Sequence, residues 1–400
     1  MVKWKEKTLG EVTSFITKGI PPKYSDYESE STIWVLNQKC NRNFEISYSD
    51  ARLHDYNLKK IPENKMLMDG DVLINSTGTG TAGRVAQLQN IQKPTTIDGH
   101  MILLRPTDDI DSLYYGYAIK ACQSQIEGFA EGSTGQTELN RKRLQDEIIV
   151  RYPVDKQEQK AIAYFLLDLD EKIKINVKIN NNLLAQAQLL FESIYLSGNT
   201  AKMSDLICEI ESGSRPKGGA LSQGIPSIGA EKIERFGIYD FSSEKYISEE
   251  FFAKLKRGIV KSSDVLLYKD GAYTGKVSMA LDGFPHEICA VNEHVFILRT
   301  YYCRFQNYLY CCLSKKEIRD MVFALASSKA TQPGLNQNEV MGIEINLPDE
   351  DILTSFEDTV SPLMHLVVSN ANENKRLSEI RDTLLPKLMS GEIDVSDIDL

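Results

Sequence analysis

Two stretches of this chain, 194 positions apart, carry the same seam. Stepping alternately by four and three residues from Ile162 gives Leu166, Leu169, Ile173, Asn176, Asn180, Leu183, Ala187, Leu190 and Ile194. Adding 194 to each position gives Phe356, Val360, Leu363, Val367, Asn370, Asn374, Leu377, Arg381, Leu384 and Leu388. Both are a/d patterns of a long amphipathic helix, about five heptads each, interrupted by asparagine pairs in matching register. A polar seam residue costs stability but fixes register and partner. The register residues Asn176, Asn180, Asn370 and Asn374 therefore predict two helices that pair with each other. Antiparallel pairing places the asparagines opposite one another and relates the halves by a pseudo-two-fold axis. At 1.5 Å per residue each helix is roughly 60 Å long, a stiff spacer. Arg381 breaks the second seam, and Pro362 is expected to kink that helix or to delay its regular part.

The chain thus reads as a tandem repeat. Residues 1–154 form a globular block, 155–198 a central helix, 199–348 a second block, 349–388 a second helix, and 389–400 an acidic tail. The blocks also match each other. Asp71-Val72-Leu73-Ile74 corresponds to Asp264-Val265-Leu266-Leu267, and Gly83-Arg84-Val85 to Gly275-Lys276-Val277. Gly132-Ser133-Thr134-Gly135-Gln136 corresponds to the Ser327–Gln332 stretch. Short β-type runs (Thr32–Leu36, Val72–Asn75, Met101–Leu104, Val265–Tyr268, Val295–Leu298) precede helical stretches at Leu113–Glu127 and Phe305–Leu325. That order predicts α/β or α+β domains.

Charge narrows the function classes less than its total suggests. The net charge is −10, yet residues 349–400 hold 4 basic and 12 acidic side chains, most of the excess. Residues 1–154 hold 19 basic and 20 acidic, and 199–348 hold 18 of each. Each block has enough cations for a local basic face, so nucleic acid is not excluded. No apolar run reaches the ~20 residues of a bilayer span, and the start Met1-Val2-Lys3-Trp4-Lys5 lacks the core of a secretory signal, which leads us to expect a cytoplasmic protein. Seven cysteines (Cys40, Cys122, Cys208, Cys289, Cys303, Cys311, Cys312) contain no C-x-x-C pair, and reduced, buried thiols are expected.

Signatures of catalysis are missing. Gly78-Thr79-Gly80-Thr81-Ala82-Gly83 satisfies the spacing of a dinucleotide loop, but Arg84–Leu88 reads as strand rather than helix, and Asp270-Gly271-Ala272-Tyr273-Thr274-Gly275 in the second copy lacks the spacing. A glycine-rich turn between two strands is the better reading. No P-loop, H-E-x-x-H, G-x-S-x-G or adenine-methyltransferase tetrapeptide occurs, and the five histidines show no ligand spacing. We expect no catalytic residue and no metal site, and binding becomes the default.

The residues resemble a known family. Arg376-Leu377-Ser378-Glu379-Ile380-Arg381-Asp382-Thr383-Leu384-Leu385-Pro386-Lys387-Leu388-Met389-Ser390-Gly391-Glu392-Ile393 is similar to the C-terminal signature of the specificity (S) subunits of type I restriction-modification systems. Pro153-Val154-Asp155-Lys156-Gln157-Glu158-Gln159-Lys160 resembles the entry to that family's first conserved helix. Lys7-Thr8-Leu9-Gly10-Glu11-Val12, Lys18-Gly19-Ile20-Pro21-Pro22 and Ser212-Gly213-Ser214-Arg215-Pro216-Lys217 also fit. The resemblance covers essentially the whole chain. It implies two target recognition domains, each reading half of a bipartite site in double-stranded DNA. The helices would form an antiparallel coiled coil that sets the unread spacer and docks two methyltransferase (M) subunits. S-adenosylmethionine would belong to the M subunits, and ATP and Mg to restriction (R) subunits that join for cleavage. This chain itself would hold no cofactor. A scaffold or decoy that binds M subunits or other proteins without reading DNA stays open as the alternative.

Phosphates attract Lys, Arg, Ser, Thr and backbone amides, whereas base edges favour Arg, Asn and Gln. On that ground the candidate DNA contacts of the first block are Lys18, Lys23, Asn37, Lys39, Arg42, Ser76, Thr77, Thr79, Arg84, Ser133, Thr134 and Gln136. Those of the second are Arg215, Lys217, Lys269, Tyr273, Thr274, Lys276, Ser328, Lys329, Thr331 and Gln332. They cluster at glycine-rich turns present in both copies.

Overall fold

Runs such as Val72-Leu73-Ile74 and Met101-Ile102-Leu103-Leu104 are apolar at every position, which is what a strand needs when both its faces are covered. In the computed structural model, which describes residues 2–131, 138–271, 273–328 and 334–398, these runs pair at the centre of a four-stranded antiparallel sheet. Its order is Thr13–Lys18, Met101–Pro106, Val72–Asn75, Val85–Gln87. Successive side chains point to opposite faces. Val72, Ile74, Ile102 and Leu104 pack against Tyr114, Tyr115 and Ile119 of helix Ser112–Ala121. Leu73, Met101 and Leu103 pack instead against Leu36 and Ile97 of a second, smaller sheet. Asp111 caps the helix by accepting from the Leu113 and Tyr114 amides.

The chain divides into two compact units, Met1–Asp170 with Ser378–Leu400, and Glu171–Leu377. The division falls inside the long helices, so each unit owns a stretch of both. The second unit repeats the architecture of the first. Its sheet runs Ile207–Ser212, Val295–Thr300, Val265–Tyr268, Val277–Met279. Val265, Leu267, Phe296 and Leu298 face helices Gln306–Ser314 and Lys316–Ser327, while Leu266, Val295 and Ile297 face Ile228 and Val291. The repeated aspartate before the central strand has a structural cause in both copies. Asp71 Oδ1 accepts from Arg105 Nε at 2.8 Å, and Asp264 Oδ1 accepts from Arg299 Nε at 2.5 Å. These pairs close the sheet end opposite the glycine-rich turns.

The predicted long helices are continuous at Lys156–Tyr195 and Glu350–Ser390, 40 and 41 residues. They pair antiparallel in the part each unit contains. In the second unit Asn176 meets Asn374 and Asn180 meets Asn370, and Phe191 meets Phe356 edge to face with centroids 6.4 Å apart. In the first unit Ile162 and Leu166 share a core with Leu385 and Leu388. The expected break at Arg381 is an ion pair. Its Nη1 donates to Asp170 Oδ1 at 2.6 Å, and Tyr117 Oη donates to Asp170 Oδ2 at 2.7 Å. Lys120 Nζ stands 3.6 Å from Asp170 without a hydrogen bond. Burial pushes the Asp170 carboxyl up, but Lys120 and Arg381 outweigh it and hold it below the usual carboxylate range. Burial lowers the Lys120 ammonium to about 8, against the pull of Asp170.

Three expectations need correction. Pro362 does not delay the second helix, which begins at Glu350. Its ring is exposed while its neighbours Val360 and Met364 are buried, so the packed face stays intact. The stretch read as an acidic tail is partly core. Trp4 lies against Gly391, where a Cβ would stand 2.6 Å from the indole, and Val395 and Ile398 pack on the first unit's interior. The cysteines are all free, but Cys208 and Cys303 are exposed rather than buried.

Candidate nucleic-acid interface

An antiparallel four-stranded sheet brings its turns to its two ends, and one end of each sheet collects most of the candidate residues. In the first unit, strand Thr13–Lys18 finishes there, Val72–Asn75 finishes there, and Met101–Pro106 and Val85–Gln87 begin there. The glycine hexapeptide is a turn joining antiparallel strands Val72–Asn75 and Val85–Gln87, as its repeat copy implied. Gly83 sits at φ +92°, and Gly275 at φ +96°, the left-handed region that glycine enters without penalty. Gly19 and its copy Gly213 let the neighbouring turn lie against the sheet. A Cβ on Gly19 would stand 2.0 Å from the Asp98 carbonyl, and one on Gly213 would stand 1.5 Å from that of Val291.

This edge ties Lys18, Ser76, Thr77 and Glu138 together. The Ser76 amide donates to the His100 carbonyl at 2.8 Å, and the Leu139 amide donates to the Ser76 carbonyl at 2.8 Å. Lys18 donates to Glu138, and that bond, with the lysine's charge, holds the Glu138 carboxyl below its ordinary value. Lys65 Nζ, which sequence reasoning passed over, donates to the Lys18 carbonyl at 2.8 Å and steadies the turn. Arg84 Nη2 donates to the Gly80 carbonyl at 3.1 Å across the hexapeptide. The Asn37–Arg42 segment joins the edge through Asn75 Nδ2 on the Gln38 carbonyl and Asn41 Nδ2 on the Arg84 carbonyl, at 3.0 and 2.9 Å. Lys23, Lys39, Arg42 and Thr79 are exposed.

The second unit builds the same edge from different residues. The Lys269 amide donates to the His294 carbonyl at 3.2 Å, and the Leu335 amide to the Lys269 carbonyl at 2.9 Å. Here the cations are neutralised by neighbours. Arg215 pairs with Glu293 at 2.9 Å, Lys276 with Glu234 at 2.7 Å, and Lys269 with Asp270 at 3.6 Å. Tyr273 is 62% exposed at the turn, and Lys276 Nζ lies 4.6 Å from its ring centroid. Lys217 and Ser328 are exposed on the surface.

Some candidates are not available for DNA. Ser76 and Thr274 are buried, the latter with its hydroxyl donating to the Gly271 carbonyl at 2.7 Å. Asn37 uses both ends of its amide within the protein, donating to the Asp50 carbonyl and accepting from the Lys39 amide of its own turn. These polar residues build turns, which is the other common use of Ser, Thr and Asn. Ser133, Thr134, Gln136, Lys329, Thr331 and Gln332 lie outside the described residues. Among the described residues no cluster suits a metal ion, and no helix is long and apolar enough to cross a membrane.

Residues 1–185 match the type I restriction modification DNA specificity domain. Along its whole length the chain is similar to two curated relatives. It is 24% identical to the type I restriction enzyme MjaIX specificity subunit of Methanocaldococcus jannaschii, over 98% of this chain and 94% of that one. It is 23% identical to the HindI specificity subunit of Haemophilus influenzae, over 98% of this chain and 100% of that one. The crystal structure of a type I restriction-modification S subunit from M. genitalium superimposes with a TM-score of 0.55 at 18% identity, covering 97% of this chain and 96% of that one. The fold is therefore shared with an S subunit.

Proposed function

We propose that this chain, a relative of the specificity subunits of type I restriction-modification systems, is the sequence-reading, non-catalytic subunit of such a complex. Each globular domain reads one half of a bipartite DNA site through the sheet edge described above. The helices set the unread spacer and dock two M subunits. S-adenosylmethionine belongs to the M subunits, and ATP and Mg to the R subunits that cleave. The proposed setting is the cytoplasm, where the DNA lies.

One observation supports this reading above the others. The same strand-and-turn edge occurs in both units, with the same backbone hydrogen bonds, while its exposed side chains differ. Two frames of one design with different surfaces suit two readers of different sequences. Backbone frames position, and side chains at base edges specify. Major-groove faces of one orientation recur about every 34 Å along a duplex, which makes spacer length a readable quantity.

Co-expression with the neighbouring methyltransferase in a host free of methylation, followed by sequencing of modified adenines, tests the reading. A split motif with a fixed gap is the expected result, and exchanging residues 199–348 for another such domain changes only one half. A second reading draws on the self-neutralised cations of the second unit. A scaffold or decoy that holds M subunits without reading DNA has no need of free cations. A stable complex that methylates nothing favours it.

A further inference from the structure

We infer that His100 and His294 are equivalent positioning residues, each holding the recognition turn of its own unit in the shape that reads DNA. The inference rests on the reading proposed above. The two histidines stand 194 positions apart, the offset of the repeat. Each makes the same three bonds. The His100 amide donates to Asp98 Oδ1 and the His294 amide to Asn292 Oδ1, both at 2.9 Å. Each carbonyl accepts from the first residue beyond the central strand, Ser76 or Lys269. Each ring Nδ1 reaches the next residue, Thr77 Oγ1 at 2.8 Å or Asp270 Oδ2 at 3.0 Å.

Core packing does not account for them. His100 is exposed and the His294 side chain is 38% exposed. Their shared feature is the clamp on the turn that carries Thr79 and Arg84 in one unit, and Tyr273 and Lys276 in the other. Reading a base edge requires a side chain held within about 0.5 Å of its working geometry. The paired strands hold the two ends of each turn, and the histidine adds a side-chain anchor at its first two residues, Ser76 and Thr77 or Lys269 and Asp270. The ring partners differ between units, the Thr77 hydroxyl in one and the carboxylates of Asp270 and, at 3.4 Å, Glu293 in the other, so each half has its own clamp strength.

The test uses the full chain co-expressed with its methyltransferase, and genome-wide adenine methylation as the readout. With His100→Ala, methylation spreads to sites mismatched in one half of the motif only, with off-motif sites rising about tenfold, the discrimination of one well-placed base contact. His294→Ala relaxes only the other half. Thr77→Val, which removes the ring's partner and leaves the histidine, reproduces the His100→Ala pattern. His100→Gln and His294→Gln, whose carboxamides can remake the bond, restore the parent motif. Uniform loss of methylation with an unchanged motif, relaxation of both halves by one variant, or an unchanged motif in Thr77→Val and both alanine variants would each overturn the proposal. A wild-type chain that gives no split motif defeats the underlying reading instead.

Discussion

Asn176 donates through Nδ2 to Asn374 Oδ1 at 2.9 Å, and Asn374 is the repeat copy not of Asn176 but of Asn180. The exchange is reciprocal. Asn370, the copy of Asn176, donates to Asn180 Oδ1 at 2.8 Å, and Asn180 Nδ2 donates to the Val367 carbonyl at 2.9 Å. Antiparallel pairing of two like helices produces this swap, because the register falls along one as it rises along the other.

Asn180 is therefore costly to remove alone. In Asn180→Leu, the Asn370 amide and the Val367 carbonyl lose a partner, and stability falls by about 1–3 kcal/mol. Asn180→Leu with Asn370→Leu recovers most of that loss, since two apolar groups replace a satisfied polar pair. Chemical denaturation of both variants measures the difference.

The Asp170–Arg381 pair has no polar copy. Its repeat counterparts are Met364 and Ala187, both buried. Asp170→Ala takes away the carboxylate beside Lys120 and leaves Arg381 with Asp382 alone, at 2.8 Å, and is expected to cost about 3 kcal/mol, the low end for a broken buried pair. Combining Asp170→Met, Arg381→Ala and Lys120→Ser installs the second unit's solution and is expected to restore most of the stability. Thermal unfolding of the single and triple variants tests this.

Glu357 gives a pH signature. Burial raises its carboxyl from the ordinary 4.5 to about 7, against bonds from the Tyr308 amide and Asn307 Nδ2 at 2.8 Å each. The folded state then holds a proton that the unfolded state releases, so stability falls as pH rises from about 4.5 to 7 and is level above. The contribution is about 3 kcal/mol by the usual conversion. Glu357→Gln is expected to flatten the stability curve across that window, as read by denaturation at pH 4.5, 6 and 7.5.

Self-neutralisation of the reading edge predicts a change in DNA affinity. Lys18 must leave Glu138 to reach a phosphate, so Glu138→Gln in the M-containing complex tightens binding to random-sequence duplex by about two- to fivefold, the factor an exposed ion pair sets. In a Lys18→Ala background the same change is expected to have little effect. Equal gains in both backgrounds would show simple charge repulsion in place of a competing ion pair.

The histidines show where sequence reading stopped short. Searched for ligand spacing, they looked scattered, yet His100 and His294 obey the 194-residue offset that already organised the helices. Applying the repeat to single polar residues would have found them. Ser76, Thr274 and Asn37 show the opposite limit. Their composition suits DNA, and only burial and hydrogen bonding reveal that they build turns.

By itself the sequence determined the tandem layout, the two helices and their asparagine register, and the main strands, because periodicity and repetition are local properties of a chain. Tertiary structure alone decided which polar residues face outward, which carboxylates neutralise which lysines, and how the Arg381 break is filled. Those outcomes depend on contacts between distant residues, Lys18 with Glu138 or Asp170 with Arg381. The turn and strand geometry that brings such pairs within a few ångströms leaves no trace in the spacing of either partner.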